Sequence, residues 1–125
     1  VLKYINERKQ IATIIDEILD SEAVGFTNIH IGLEKGLKEL SKVKKDPRNQ
    51  FGILITDGNY NRGEKPYELA KNYPKLHVIG MPAENDADRG IKTCKKIAKK
   101  GRGKFYAVND YKEIPRALIE LLSQT

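Results

Sequence analysis

The sequence is short of the residues that usually announce a chemistry. It has one cysteine, Cys94, and two histidines, His30 and His77, that stand alone. A lone cysteine cannot close an internal disulfide, so nothing points to an oxidising compartment. No Cys or His pair stands at zinc spacing, and there is no G-x-S-x-G and no Walker-type loop. Zinc centres, nucleophile-elbow hydrolases and P-loop nucleotide enzymes are thereby excluded. No apolar run approaches the ~20 residues of a membrane-spanning helix, and no signal-peptide pattern opens the sequence. The expected location is therefore the cytoplasm. Negative charge is also scarce: 17 acidic residues against 23 basic ones leave a net charge of +6 and a pI near 9.4. Such a balance suits an acidic partner, although the excess is mostly lysine, which also decorates ordinary solvated faces.

What is present is a regular alternation of helix-patterned and strand-patterned segments. At 125 residues the chain is one domain's worth, expected to span 1–125 as a single unit. "VLKYI" reads as a short strand at 1–5. Asn6 can cap a helix over 6–22, whose apolar stripe is Ile11, Ile14, Ile15, Ile18 and Leu19. A second helix follows "GFTN", with Ile29, Leu33, Leu37 and Leu40 on one face and Gly32 and Gly36 leaving room for close packing. "FGILIT" at 51–56 is a continuous apolar run, the pattern of a strand covered on both faces. Pro66 can open a short helix over 66–74, and "KLHVIGMP" is a second buried strand. The helix at 89–100 turns Ile91, Cys94, Ile97 and Ala98 inward, "GRG" ends it, and "KFYAV" is a third strand. The closing helix starts with Asp110 and Glu113 at capping-box spacing and turns Ile114, Leu118, Leu121 and Leu122 inward. This order argues an α/β fold: a mostly parallel, Rossmann-like sheet flanked by helices, with right-handed crossovers.

Most candidate chemical groups have a structural explanation. His77, inside a strand, reads as a satisfied core histidine, and Cys94, on the inward face of a helix, reads as packing. "GRGK" at 101–104 follows a helix and enters a strand, the reverse of a phosphate cradle, so a helix cap fits it better. Oxygen donors remain. Asp57 follows an apolar strand, where a parallel sheet delivers functional residues, though Asp-Gly is also a common turn pair. Thr27 precedes a helix, where it is either a plain N-cap or a hydroxyl donor. A carboxylate and a hydroxyl are hard ligands suited to an ion such as Mg²⁺.

The ordered series Gly25, Thr27, Asn28, Ile29, Gly32, Leu33, then Ile55, Thr56, Asp57, Gly58, Asn61, Gly63 and Pro66, resembles the von Willebrand factor type A domain. The similarity continues through "LHVIG", "KKIAKKGRGKFYAV" and "DYKEIPRAL", nearly the whole chain. The resemblance implies a metal-ion-dependent adhesion site holding Mg²⁺ or Mn²⁺, built from three loops at the carboxyl edge of the sheet. Thr27 matches the threonine of its second loop and Asp57 the aspartate of its third. A partner's carboxylate usually completes that coordination, making the ion a link between proteins. The loops at 25–28, 57–65 and 82–88 would face the partner, with Asn28, Gly58, Asn59, Asn61, Arg62 and Lys65 as its contacts.

One departure limits this expectation. The first loop of the family site carries D-x-S-x-S at the end of the central strand, and no such sequence occurs here. "VLKYI" matches the family's antiparallel edge strand, so the first central strand is missing and the domain is expected to be amino-terminally truncated. Metal binding should be weak or absent in this chain, because affinity follows ligand count and charge. An uncovered strand edge would also invite self-association. The leading expectation is a non-enzymatic protein-interaction module of an intracellular multiprotein complex. The alternative is a nucleic-acid-binding α/β domain using the basic helix over 92–104, with Lys92, Lys95, Lys96, Lys99, Lys100 and Arg102 outward, followed by Lys104. An enzyme of flavodoxin-like or receiver-like architecture, with Asp57 as acceptor, lacks the acidic cluster it would need.

Overall fold

Helix and strand alternate through residues 29–42, 50–56, 66–81 and 87–124, the parts of the chain that the computed structural model describes. Helix α1 spans Ile29–Ser41, strand β1 Gly52–Thr56, helix α2 Tyr67–Lys71 and strand β2 Leu76–Gly80. Helix α3 spans Ala87–Lys100 and strand β3 Arg102–Ala107; a 3-10 turn at Tyr111–Glu113 leads into helix α4, Ile114–Gln124. The expected strand at 1–5 and helix over 6–22 lie outside the described residues. The three described strands form one parallel sheet in the order β1-β2-β3, with Gly52 opposite Leu76 and Thr56 opposite Gly80. This is the Rossmann-like α/β arrangement that the alternation predicts.

Side chains leave a strand on alternate faces, and the two faces have separate cores. On one face, Leu76 and Val78 pack with Ile29 and Leu33 of α1, Ala70 and Tyr73 at α2, and Cys94, Ile97 and Ala98 of α3. On the other, Ile79 packs with Val108 and with Ile114, Ala117, Leu118 and Leu121 of α4. Every residue of β2 is buried. Strand β1 differs from its expectation: it is half-buried at every residue. It pairs only with β2, and no strand covers its other edge among the described residues.

Two glycines were expected to admit close packing, and one does. Gly32 is exposed, and a Cβ there would meet nothing within 4 Å. At Gly36 a Cβ would overlap the Tyr73 hydroxyl, which donates a hydrogen bond to the Leu33 carbonyl at 2.7 Å. That bond fastens the end of α2 to the middle of α1. Burial pushes the Tyr73 phenol up to about 12, because its ionised form would lose its water.

The turn from α3 into β3 also departs from a simple glycine cap. The Gly101 N–H still bonds the Ile97 carbonyl at 2.9 Å, so the helix runs on to it. The left-handed backbone falls one residue later, at Arg102, with φ 58°. A non-glycine there carries strain, and the Arg102 guanidinium is held by the carbonyls of Lys71, Tyr73 and Pro74. Gly103 is needed for approach, since a Cβ on it would overlap the Leu76 carbonyl. The Glu113 arm of the expected capping box forms, while the Asp110 side chain caps one residue earlier, at Lys112. Asp110 Oδ1 accepts from the Lys112 N–H at 3.1 Å, and Glu113 Oε2 accepts from the Asn109 and Asp110 N–H groups.

Gly36→Ala should destabilise the domain by about 1–3 kcal/mol through overpacking, and Tyr73→Phe by about 1 kcal/mol through the lost hydrogen bond. The clash at Gly36 is chiefly with the hydroxyl, so the double variant should be more stable than the sum of the two losses. Urea denaturation of the four proteins measures this coupling; strict additivity would show that the two residues do not touch in solution.

Candidate functional site

Because the strands are parallel, their carboxyl ends share one edge of the sheet. Pairing runs to the last residue there: the Thr56 carbonyl accepts the Met81 N–H at 2.9 Å, and the Gly80 carbonyl accepts the Val108 N–H at 2.9 Å. The next residue after Thr56 is Asp57, so the aspartate follows directly from the carboxyl edge. Helix α1 is anchored at the opposite end. Gln50 Nε2 donates to the Leu40 carbonyl at 3.4 Å, tying the carboxyl end of the helix to the amino end of β1. The amino end of α1, which follows Thr27 and Asn28 in sequence, thus heads toward the carboxyl edge. Beneath that edge Cys94 is 1% exposed, with Sγ 4.0 Å from the Thr56 carbonyl oxygen, in the packing position expected of it.

The candidate metal and partner residues themselves lie outside the described residues. These are Thr27, Asn28, Asp57, Gly58, Asn59, Asn61, Arg62 and Lys65. What the fold defines is their scaffold: β1 running into Asp57 and α1 starting just after Thr27. No cluster of three His, Cys, Asp or Glu that could hold a metal occurs among the described residues. The donor set in the sequence is one carboxylate and one hydroxyl, without the aspartate and serines of a D-x-S-x-S loop. That set is too small to fit a complete adhesion site, since hard-cation affinity rises with the number and charge of oxygen ligands.

His77 is the buried polar residue of β2, at 3% exposure. Leu76 pairs with Arg102 but Val78 pairs with Phe105, so β3 carries an extra residue opposite His77. At this irregularity the imidazole replaces a ladder acceptor: Nδ1 takes the Lys104 N–H at 3.0 Å, and the ring meets Phe51 edge-on at 5.6 Å. Burial lowers the His77 pKa below its ordinary value, and the charges of Lys75 and Lys104 lower it further. The sequence identified a core histidine; its acceptor role depends on a register shift that no local pattern shows.

The basic segment lies on the outer face of α3. Lys92, Lys95, Lys96 and Lys99 are exposed and Lys100 is half-buried. Lys96 Nζ sits 4.2 Å from the centroid of the Tyr67 ring, a cation–π contact between α3 and α2. Arg102, expected among the outward cations, has its guanidinium turned to the backbone carbonyls at the end of α2, where it closes the turn. The Tyr67 contact was missed in the sequence, because it depends on how two helices pack.

Residues 2–120 match the von Willebrand factor type A domain family. The chain belongs to that family. Two solved structures share the fold of this von Willebrand type A chain. One is an aerotolerance-related membrane protein from Bacteroides fragilis, with a TM-score of 0.62 and 18% identity over 90% of this chain and 69% of that one. The other is the conserved hypothetical protein BatB from Bacteroides thetaiotaomicron, with a TM-score of 0.58 and 22% identity over 86% of this chain and 62% of that one. At these identities the likeness is one of fold. Among curated proteins none matches the chain. Von Willebrand type A domains are generally protein-interaction modules and commonly bind Mg²⁺ or Mn²⁺ at their adhesion site.

A lowered histidine pKa has a definite sign. Below pH 6.5 the unfolded chain binds a proton at His77 that the folded chain refuses, so stability is present above that pH and is lost as pH falls toward the folded-state value. Thermal melts between pH 7 and pH 5 should show the midpoint falling, with a shallower fall in His77→Phe. That variant also loses the acceptor for the Lys104 N–H and should be less stable at pH 7 by about 1–2 kcal/mol. An unchanged pH slope in the variant would show that another group carries the effect.

Proposed function

We propose that this domain is a protein-interaction module that docks its partner at the carboxyl edge of the sheet, over a remnant metal-ion-dependent adhesion site. The observation that carries this reading is the ladder running intact to Thr56, with Asp57 next in the chain. Strand ends of parallel sheets are where such folds present ligands. Thr27 and Asp57 are the metal-facing pair in this reading. Asn28, Gly58, Asn59, Asn61, Arg62 and Lys65 are the partner contacts. Arg62 and Lys65 suit an acidic partner, one of whose carboxylates would share the ion.

The same reading makes the domain a non-catalytic component of an intracellular multiprotein complex, with 1–125 acting as one unit. No helix of the described residues is long and apolar enough to cross a membrane, and cytoplasmic placement is part of the proposal. One structural relative is named a membrane protein, so the complex assembled here could lie at a membrane surface. The absence of D-x-S-x-S supports a site in which the ion is held weakly until a partner adds its oxygens.

Calorimetric titration of Mg²⁺ and of Mn²⁺ into the chain tests the metal half of the proposal. Binding in the millimolar range or weaker, abolished by Asp57→Ala with an unchanged circular dichroism spectrum, is the expected result. Heat that persists in Asp57→Ala would place the ion elsewhere and remove Asp57 from the site.

A further inference from the structure

Lysines on the described helices fall into two groups. At α1 and α2 three lysines stand beside glutamates one turn away: Lys38 with Glu34 at 3.6 Å, Lys42, just after α1, with Glu39 at 2.9 Å, and Lys71 with Glu68 at 3.1 Å. A solvated helix commonly balances its charge in this way. Helix α3 does not. From residue 89 to residue 108 the sequence contains only cations, with no Asp or Glu. Exposed Lys92, the adjacent Lys95 and Lys96, and Lys99 fall on successive turns, about 4.5–6 Å apart along the helix axis.

We propose that this basic row on the outer face of α3 is a sequence-independent docking surface for the phosphate backbone of a nucleic-acid duplex. Isolated exposed ion pairs contribute little, so a sparse acidic protein surface would gain little from the row. A duplex presents charge densely enough to release condensed counterions when several lysines engage it. Three details fix the class of occupant. The apolar side of α3 is consumed by the core, where Cys94, Ile97 and Ala98 are buried, so the helix has no face to insert into a bilayer. The Tyr67 ring is covered by Lys96, and no aromatic side chain interleaves the row to stack unpaired bases. The Arg102 guanidinium is engaged by the carbonyls of Lys71, Tyr73 and Pro74, which removes the fork that would read a base edge. Backbone contact by lysine is what remains.

The test is fluorescence anisotropy of the whole chain with a labelled duplex of arbitrary sequence at 50 and 200 mM salt. About four phosphate contacts would lower the affinity on the order of 100-fold across that interval. Lys95→Glu/Lys99→Glu should abolish binding at 50 mM. Lys35→Glu/Lys42→Glu, which makes the same change in net charge on and just after α1, should retain most of it. Circular dichroism of both variants controls for folding, and a variant that misfolds is replaced by Lys92→Glu/Lys95→Glu. Equal loss in the α1 and α3 variants would overturn the proposal in favour of unspecific charge. So would no binding at 50 mM, or tighter binding to phosphatidylserine vesicles than to the duplex at matched phosphate concentration.

Discussion

Strand β2 is the constraint on which the other elements depend. It is paired on both edges, buried at every residue and covered on both faces. Each of its five positions therefore has to satisfy a neighbour in the sheet and a helix above or below it. Leu76 shows how tight this is. Its backbone lies so close to the turn after α3 that a Cβ at Gly101 would come within 2.6 Å of the Leu76 Cβ. The chain can leave α3 and re-enter the sheet beside Leu76 only with glycines on both sides of Arg102. The left-handed turn at Arg102 and the bulge opposite His77 are how β3 regains register after that approach.

Much of this was legible because burial imposes periodicity. The apolar stripe of α1, the unbroken run of β2 and the capping box before α4 are local patterns with one physical reading each. The points where the sequence misled are tertiary. Gly32 and Gly36 are equivalent in sequence, one helical turn apart, yet only Gly36 faces Tyr73. The run at 51–56 is as apolar as the one at 75–82. Hydrophobicity reports what a strand can bury, not how many neighbours it has, and β1 is half-buried where β2 is fully buried. Arg102 read as another surface cation because its acceptors are carbonyls some 30 residues earlier in the chain.

The candidate site was proposed from the sequence in another way. Thr27 and Asp57 were singled out by an ordered series of small and polar residues spread over forty positions, and residues 2–120 do match the von Willebrand type A family. Family membership accounts for the ends of α1 and β1 lying toward the same edge. It does not supply the D-x-S-x-S donors, which the sequence lacks. The basic band is independent of that inheritance. It is visible as a one-sided charge run, and it gains meaning only once the neighbouring helices are seen to balance their own lysines.

The half-buried state of β1 has a consequence for hydrogen exchange. Protection of a backbone amide reflects the free energy of the smallest opening that exposes it, and strands buried on all sides open last. The amides of β1 should therefore exchange through sub-global openings while those of β2 wait for global unfolding. Asp57 follows that strand directly in sequence, so in the proposed site whatever grips the aspartate would also slow the opening of β1. Occupancy at the carboxyl edge would then be recorded in the sheet itself, as a rise in local protection in β1 that leaves β2 unchanged.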